Sequence, residues 1–466
     1  MIKSFVAVVG VLCWISAASG NGGGFRYGIA FTGGVAPFEP SGTERVQILD
    51  EKLDITLYEQ DAEVRVRYVM KNITRKKVEV TFGFPIEVTD LGSYEKGTGN
   101  RLDNRTIDTR LAKFSRDYQV RADGKKVAHE QKIEPFAIGK LQPFEGSDLI
   151  RAIGGWQVST LAFKPGQKRA IEISYGANHD VESHTVSDDS YKKPPVFRYR
   201  LSTAGVWAGP IAKGKVSIRL GQLDPKWLEI KKPAGRFKRA GDAWVWEFKD
   251  LEPTMADDLE IIAGPGKHLF SAAERGAAFY LQTDPDLSSN TRRGVKSNKG
   301  WQYVNKAYSV KASSTLPDEK EFSYIAANLK NWDSVNERNP KSYAVWSEGV
   351  KGQGVGESLS LTVAKPLPLD AIQIHPGHGE SEAWFKANSR PSKLKITLND
   401  EHSFKAMLRD VNLDQTIAVH GYSKPVRTVK IEIDAVYPGE RFEDTCISDI
   451  ALISPLAKEP KRYGSR

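Results

Sequence analysis

Only two cysteines, Cys13 and Cys446, occur in 466 residues, which excludes a disulfide scaffold and a cysteine-rich zinc domain. Charge of one sign is not in marked excess either. Lysine and arginine total 67 against 58 acids, a net charge of +9 and a pI near 9.1. That surplus permits attraction to anionic surfaces, but it is too thin for a nucleic-acid footprint, and no nucleic-acid partner is expected. Beyond the first residues no run is apolar enough to cross a bilayer as a helix. His-Glu-x-x-His and Gly-x-Ser-x-Gly are missing, as is a phosphate loop, so the common sequence routes to metallopeptidase, serine hydrolase and nucleotide chemistry are closed. No long stretch repeats its apolar residues every 3.6 positions, which argues against a helical fold.

What is present begins with an address. Lys3 precedes the apolar stretch Phe5 to Ile15, and Ser16-Ala17-Ala18-Ser19-Gly20 ends it with small residues. A basic start, a short apolar run and a small-residue finish are the parts of a secretory signal. The run is shorter than the ~20 residues of a bilayer span. Residues 1–20 are therefore expected to be a signal peptide cleaved before Asn21. The mature protein would be periplasmic or extracellular, without a transmembrane segment. Cys446 then stands alone. Between Thr445 and Ile447 it is expected to be a buried structural thiol rather than a nucleophile.

Alternation of apolar and polar residues dominates the rest. Val64-Arg-Val66-Arg-Tyr68, Ile171-Glu-Ile173-Ser-Tyr175, Leu394-Lys-Ile396-Thr-Leu398 and Val429-Lys-Ile431-Glu-Ile433 each present one apolar and one wet face. Turn signals such as Asp123-Gly124, Pro165-Gly166, Asn399-Asp400 and Pro438-Gly439 punctuate them. The expected class is all-β, with sandwich architecture. Short helices fit only near Gly146–Ile153 and Ser271–Ala278. An irregular, glycine-rich lead-in spans 21–45, and a β-sandwich region of unknown function spans 46–265. A polar linker covers 266–307, a second β region 308–456, and a basic tail 457–466.

The second region carries an ordered set of short motifs. Ala312-Ser313-Ser314 is followed by Tyr324 and Ala327-Asn328-Leu329. Ala344-Val-Trp346-Ser-Glu348-Gly349 comes next, then Gly352-Gln-Gly354-Val-Gly356, Asn388-Ser-Arg390-Pro391 and Val436-Tyr437-Pro438-Gly439. Glu443-Asp444-Thr445-Cys446 to Ile450 closes the set. In this order they resemble the discoidin-like, galactose-binding-like superfamily, and most nearly the NADase-type glycan-binding domain of secreted toxins and bacterial surface proteins. The resemblance implies a β jelly roll and a carbohydrate ligand.

Six residues are candidates for contact with a sugar. Trp346 beside Glu348 reads either as a stacking face with a hydroxyl acceptor or as a core tryptophan with a loop-tying acid. Asn388 and Arg390 lie before a strand. Arginine's planar donor fork suits hydroxyls or a carboxylate, and equally suits a structural pair with Glu443 or Asp444. Trp384 and Phe385 fall in the polar stretch 379–389, where an adjacent aromatic pair is hard to hide in a core. His375 and His378 flank a Pro-Gly turn, but no third ligand is spaced to join them, and no metal is expected. Nothing calls for a cofactor, and none is expected.

The first region, with Tyr68-Val-Met70-Lys-Asn72, Thr81-Phe-Gly83-Phe84-Pro85 and Trp207-Ala-Gly209-Pro210, is similar to an uncharacterised family of secreted bacterial β-domains. Its resemblance implies fold and secretion only. His179 and His184 read as exposed loop histidines. Asn72-Ile-Thr74 and Asn104-Arg-Thr106 fit a glycosylation sequon, coincidentally if the source is bacterial. The toxin relatives accompany an NAD-cleaving domain, and no matching catalytic domain is seen, so that activity is not transferred. The expected function is a secreted, non-catalytic bacterial envelope protein. Its jelly roll would bind a glycan or envelope polysaccharide, and its first region would serve as scaffold or partner module. Two readings stand beside it: a protein–protein adaptor for an envelope protein without sugar affinity, and an enzyme with an unfamiliar site in the N-terminal half.

Overall fold

The structure is a computed structural model and describes residues 41–88, 114–133, 152–179, 183–186, 189–192, 194–221, 223–264, 267–271, 293–297, 300–319, 322–330 and 343–455. The expected signal peptide, the Asn104 sequon and the basic tail lie outside these residues. The chain is all-β and divides into two compact units. One takes in residues up to His179 with Val196–Gln222 and Glu229–Ile262. The other takes in Asp180–Pro195, Leu223–Leu228 and the chain from Ala263 onward.

In the first unit the long strands Val46–Leu57, Asp61–Asn72 and Lys168–Asn178 lie side by side in an eight-stranded sheet. Alternation sets their faces: Ala62, Val64, Val66, Tyr68 and Met70 are buried, while Glu63, Arg65, Arg67 and Val69 between them are exposed. A second sheet, Val78–Val88 with Ala152–Phe163 and His129–Ile133, faces it. Phe84 of that sheet meets Tyr118 and Tyr175 of the first at ring distances of 5.9 and 5.0 Å, which makes the pair a sandwich. The helix expected near 146–153 is replaced from Ala152 onward by this strand.

Several polar groups of this unit are interior. Asp61 and Arg116 form a buried pair at 2.8 Å. Asn72 is fully buried: its amide donates to the carbonyls of Lys76 and Lys164, and its oxygen accepts from the N–H and hydroxyl of Thr74. Those bonds close the turn and leave no free amide for a glycan. His179, expected to be an exposed loop residue, is instead buried, with its ring edge-on to Phe197 at 6.2 Å. The side chain of His184 lies outside the described residues.

The second unit is a two-sheet β jelly roll. One sheet orders Tyr308–Ala312, Ser358–Leu367, Val426–Tyr437, Arg390–Leu398 and His402–Met407. The other centres on Ala371–Pro376 and Cys446–Pro455, with Gln415–Ala418 on one side. Leu361, Ile396 and Ile431 from the first sheet and Ile372, Ile374, Ile450 and Leu452 from the second share one core. The stretch 266–307, read as a linker for its polarity, contains the strands Lys267–Ser271, Arg293–Ser297 and Gly300–Asn305, which continue the second sheet. The hairpin Ser183–Val186 with Asp189–Lys192 extends it further. Their backbone pairing places them in the sheet despite their polar composition.

Candidate functional site

The jelly roll's strand Ala371–Pro376 leaves the sheet through Gly377 and a short helix, Glu382–Ala387. Ser381 caps that helix by accepting the Trp384 N–H at 3.2 Å. The polar stretch 379–389 is thus a helical turn rather than an open loop. Consecutive helical residues project about 100° apart, so the aromatic pair splits. Phe385 is fully buried, and Trp384 is half-buried at the rim.

Most of the other expected contact residues are spent inside the protein. The Asn388 amide donates back to the Trp384 carbonyl at 2.9 Å. Arg390 is buried. It pairs with Asp410 rather than with Glu443 or Asp444, donates to the carbonyls of Asn388 and Pro438, and lies 4.9 Å over the Phe385 ring. Asp410 is a residue that spacing alone could not single out. Trp346 is a core residue whose indole N–H donates to the Ser314 carbonyl at 3.1 Å. Glu348 is fully buried and accepts the backbone N–H groups of Thr445 and Val350 at 3.0 and 2.9 Å. The glycine-rich turn closes over it. Gly354 has φ +64°, and a Cβ there would stand 2.4 Å from the Glu348 Cγ. These residues build and brace the rim, with their polar atoms bonded within the protein.

The surface of that rim is aromatic. Trp384 lies nearly parallel to Phe442, with centroids 6.4 Å apart and planes at 13°. It stacks on His378 at 5.3 Å and meets Phe322 edge-on at 5.4 Å. Phe322 in turn lies parallel to Tyr324 at 6.2 Å. Phe442 is 37% exposed, and Phe322, Tyr324 and Trp384 are half-buried. His378 is buried beneath them, and burial pulls its pKa down to about 4, so the ring is neutral at physiological pH. Tyr324 and the Glu443-Asp444 pair were visible as motif pieces. Phe322 and Phe442 gave no signal, because only the fold brings them to Trp384 across 62 and 58 residues of chain.

His375 has both ring nitrogens engaged within the protein. His375 is held between Asp414 and Asn412 at 2.9 and 2.8 Å, and no group of three potential metal ligands occurs among the described residues. Cys446 is buried, and burial pushes its thiol up to about 12, far from a nucleophile's range.

Comparison with known proteins agrees with this division. Residues 302–453 match the family described as the NAD glycohydrolase translocation F5/8 type C domain, and residues 31–170 match a domain of unknown function, DUF4424. No curated protein matches the chain. Among solved structures, the Streptococcus pyogenes NAD+-glycohydrolase translocation domain is 24% identical, with a TM-score of 0.20, and covers 23% of this chain and 95% of its own. The family 32 CBM of C. perfringens NanJ, solved with galactose, is 16% identical with a TM-score of 0.23, covering 32% of this chain and 94% of its own. A Legionella pneumophila protein described as nutrient-binding is 16% identical with a TM-score of 0.29, covering 56% and 78%.

Proposed function

We propose that the jelly roll binds carbohydrate through the aromatic rim formed by Trp384, Phe442, Phe322 and Tyr324. The observation that supports this reading is the cluster itself: four rings converge, partly exposed, at one edge of an F5/8 type C domain. Sugar rings present C–H faces that pack on aromatic faces, and a small number of neighbouring polar groups then orient the hydroxyls. Asp444 and Arg441, both outside the core, are placed beside Phe442 in sequence to play that part.

In this reading the protein is a secreted, non-catalytic component of a bacterial envelope, and its N-terminal sandwich is a scaffold or partner module. The apolar run Phe5 to Ile15 with its small-residue finish supports export. A glycan array probed with the full chain tests the binding: a defined set of sugars is expected to bind, and a blank array at millimolar ligand overturns the proposal. Expression in a bacterial host followed by intact-mass measurement tests the export, with Asn21 expected as the first residue. A mature chain that keeps Met1 counts against it.

A further inference from the structure

We propose that this rim selects sugars bearing a free, protonated amine over their N-acetylated forms and over uronic or sialic acids. The inference rests on the carbohydrate reading above and adds the ligand's charge to it. The argument comes from the sign of the charge around the rings. The chain as a whole is +9, yet three acids, Asp318, Glu319 and Asp444, act on Tyr324 of this patch. The Tyr324 hydroxyl is pushed up to about 12, first by burial and then by the charges of Glu319, Asp444 and Asp318. The Asp444 carboxyl is itself raised by burial, with Glu443 adding to the effect. Asp318 accepts hydrogen bonds from the Ser323 hydroxyl and the Tyr324 N–H, which leaves its charge in place. Among the described residues, no lysine or arginine pairs with Asp318, Glu319, Glu443 or Asp444.

A cation of the described residues already sits on the patch. The Arg441 guanidinium lies over the Phe442 ring, 5.2 Å from the centroid. An aromatic face attracts a cation through its quadrupole, and the same attraction is open to a ligand ammonium on the neighbouring rings. An ammonium there gains twice, from the ring faces and from uncompensated carboxylates. A carboxylate-bearing sugar is repelled by both, although the protein's overall charge would draw it in.

The test uses the full-length protein and calorimetric titration with three oligomers: glucosamine, its N-acetylated form, and galacturonate. It is run at about pH 6, where the amines are protonated. The glucosamine oligomer is expected to bind about threefold tighter than the acetylated one, the scale of exposed charge pairs. The preference should shrink in high salt. It should be lost or strongly reduced in a Glu319→Gln/Glu443→Gln variant, which changes two exposed acids, binds the acetylated oligomer unchanged and keeps its thermal transition. Equal binding of the acetylated oligomer, or comparable binding of galacturonate, overturns amine selection and leaves the carbohydrate reading standing. If none of the three binds and the glycan array is also blank, both fall.

Discussion

Arg390 holds Asp410 through two N–H donors, Nε to Oδ1 at 2.6 Å and Nη2 to Oδ2 at 2.8 Å. The same guanidinium covers the Phe385 ring and ties down the carbonyls of Asn388 and Pro438, so one side chain fastens the helix that carries Trp384. Arg390→Ala is expected to lower stability by about 3 kcal/mol, the lower end for a broken buried pair because Asp410 stays partly exposed. Urea unfolding of the full chain, followed by tryptophan fluorescence, measures it. Burial acts to raise the Asp410 carboxyl, but the Arg390 hydrogen bond and the charges of Lys386 and Arg390 outweigh it and hold the carboxyl below its usual range. A depressed carboxylate contributes stability above its unfolded value and loses it as pH falls through the folded one. Asp410→Asn should therefore flatten the acid limb of the stability curve.

The split of the adjacent aromatic pair separates binding from folding. Phe442→Ala removes a 37% exposed ring. It is expected to weaken glycan binding about tenfold, or ~1.4 kcal/mol, with little change in stability. Phe385→Ala empties a fully buried site and is expected to cost about 3–5 kcal/mol. Binding titrations and melts of the two variants should move in opposite measurements. A Phe442→Ala protein that binds at full strength would place the ligand elsewhere.

The two turn glycines offer an internal control. Gly352 has φ +97° and open space around it, whereas Gly354 has φ +64° and would drive a Cβ into Glu348. Gly352→Ala is expected to cost about 1 kcal/mol, backbone strain alone. Gly354→Ala should cost clearly more, because the Glu348 carboxylate that holds Thr445 and Val350 must move. Equal losses in denaturant melts would show that Glu348 yields easily.

The sandwiches were legible because alternation is a local property: Val64, Val66 and Tyr68 declare their face within five residues. The jelly roll was legible because its motifs keep their order. The proposed site was legible only in part. Trp384 could be named as an aromatic without strand alternation, but its partners Phe322 and Phe442 are joined to it by topology, which single-sequence patterning does not encode. Arg390 and Glu348 looked like ligand contacts because buried and ligand-facing polar residues have the same composition. What separates them is the location of Asp410 and of the Thr445 N–H, each set by tertiary packing. The strands at 267–305 were missed for a related reason: their sequence is polar, and their pairing within the sheet, down to the hairpin Ser183–Lys192, is set by topology.

The buried His375 makes the jelly roll's stability depend on pH near neutrality. Burial alone would lower its pKa, yet the hydrogen bond and charge of Asp414, the contact with Asn412 and the charge of Asp449 raise it above the ordinary histidine value. The imidazolium is therefore favoured by the fold. A raised histidine contributes stability that is fully present below its unfolded pKa, about 6.5, and is lost as pH rises through the folded value. Stability of the second unit is expected to fall between mildly acidic and mildly alkaline buffer. Asp414→Asn removes the charge while keeping one oxygen acceptor for the His375 Nδ1–H; it loses the second oxygen that accepts from the Gln373 amide, so it should lower stability at every pH while lessening the slope. Urea midpoints of both proteins at about pH 5.5 and pH 8.5 read this directly. A wild-type midpoint that rises with pH, or a variant with the same slope, would mean that Asp414 does not govern this proton.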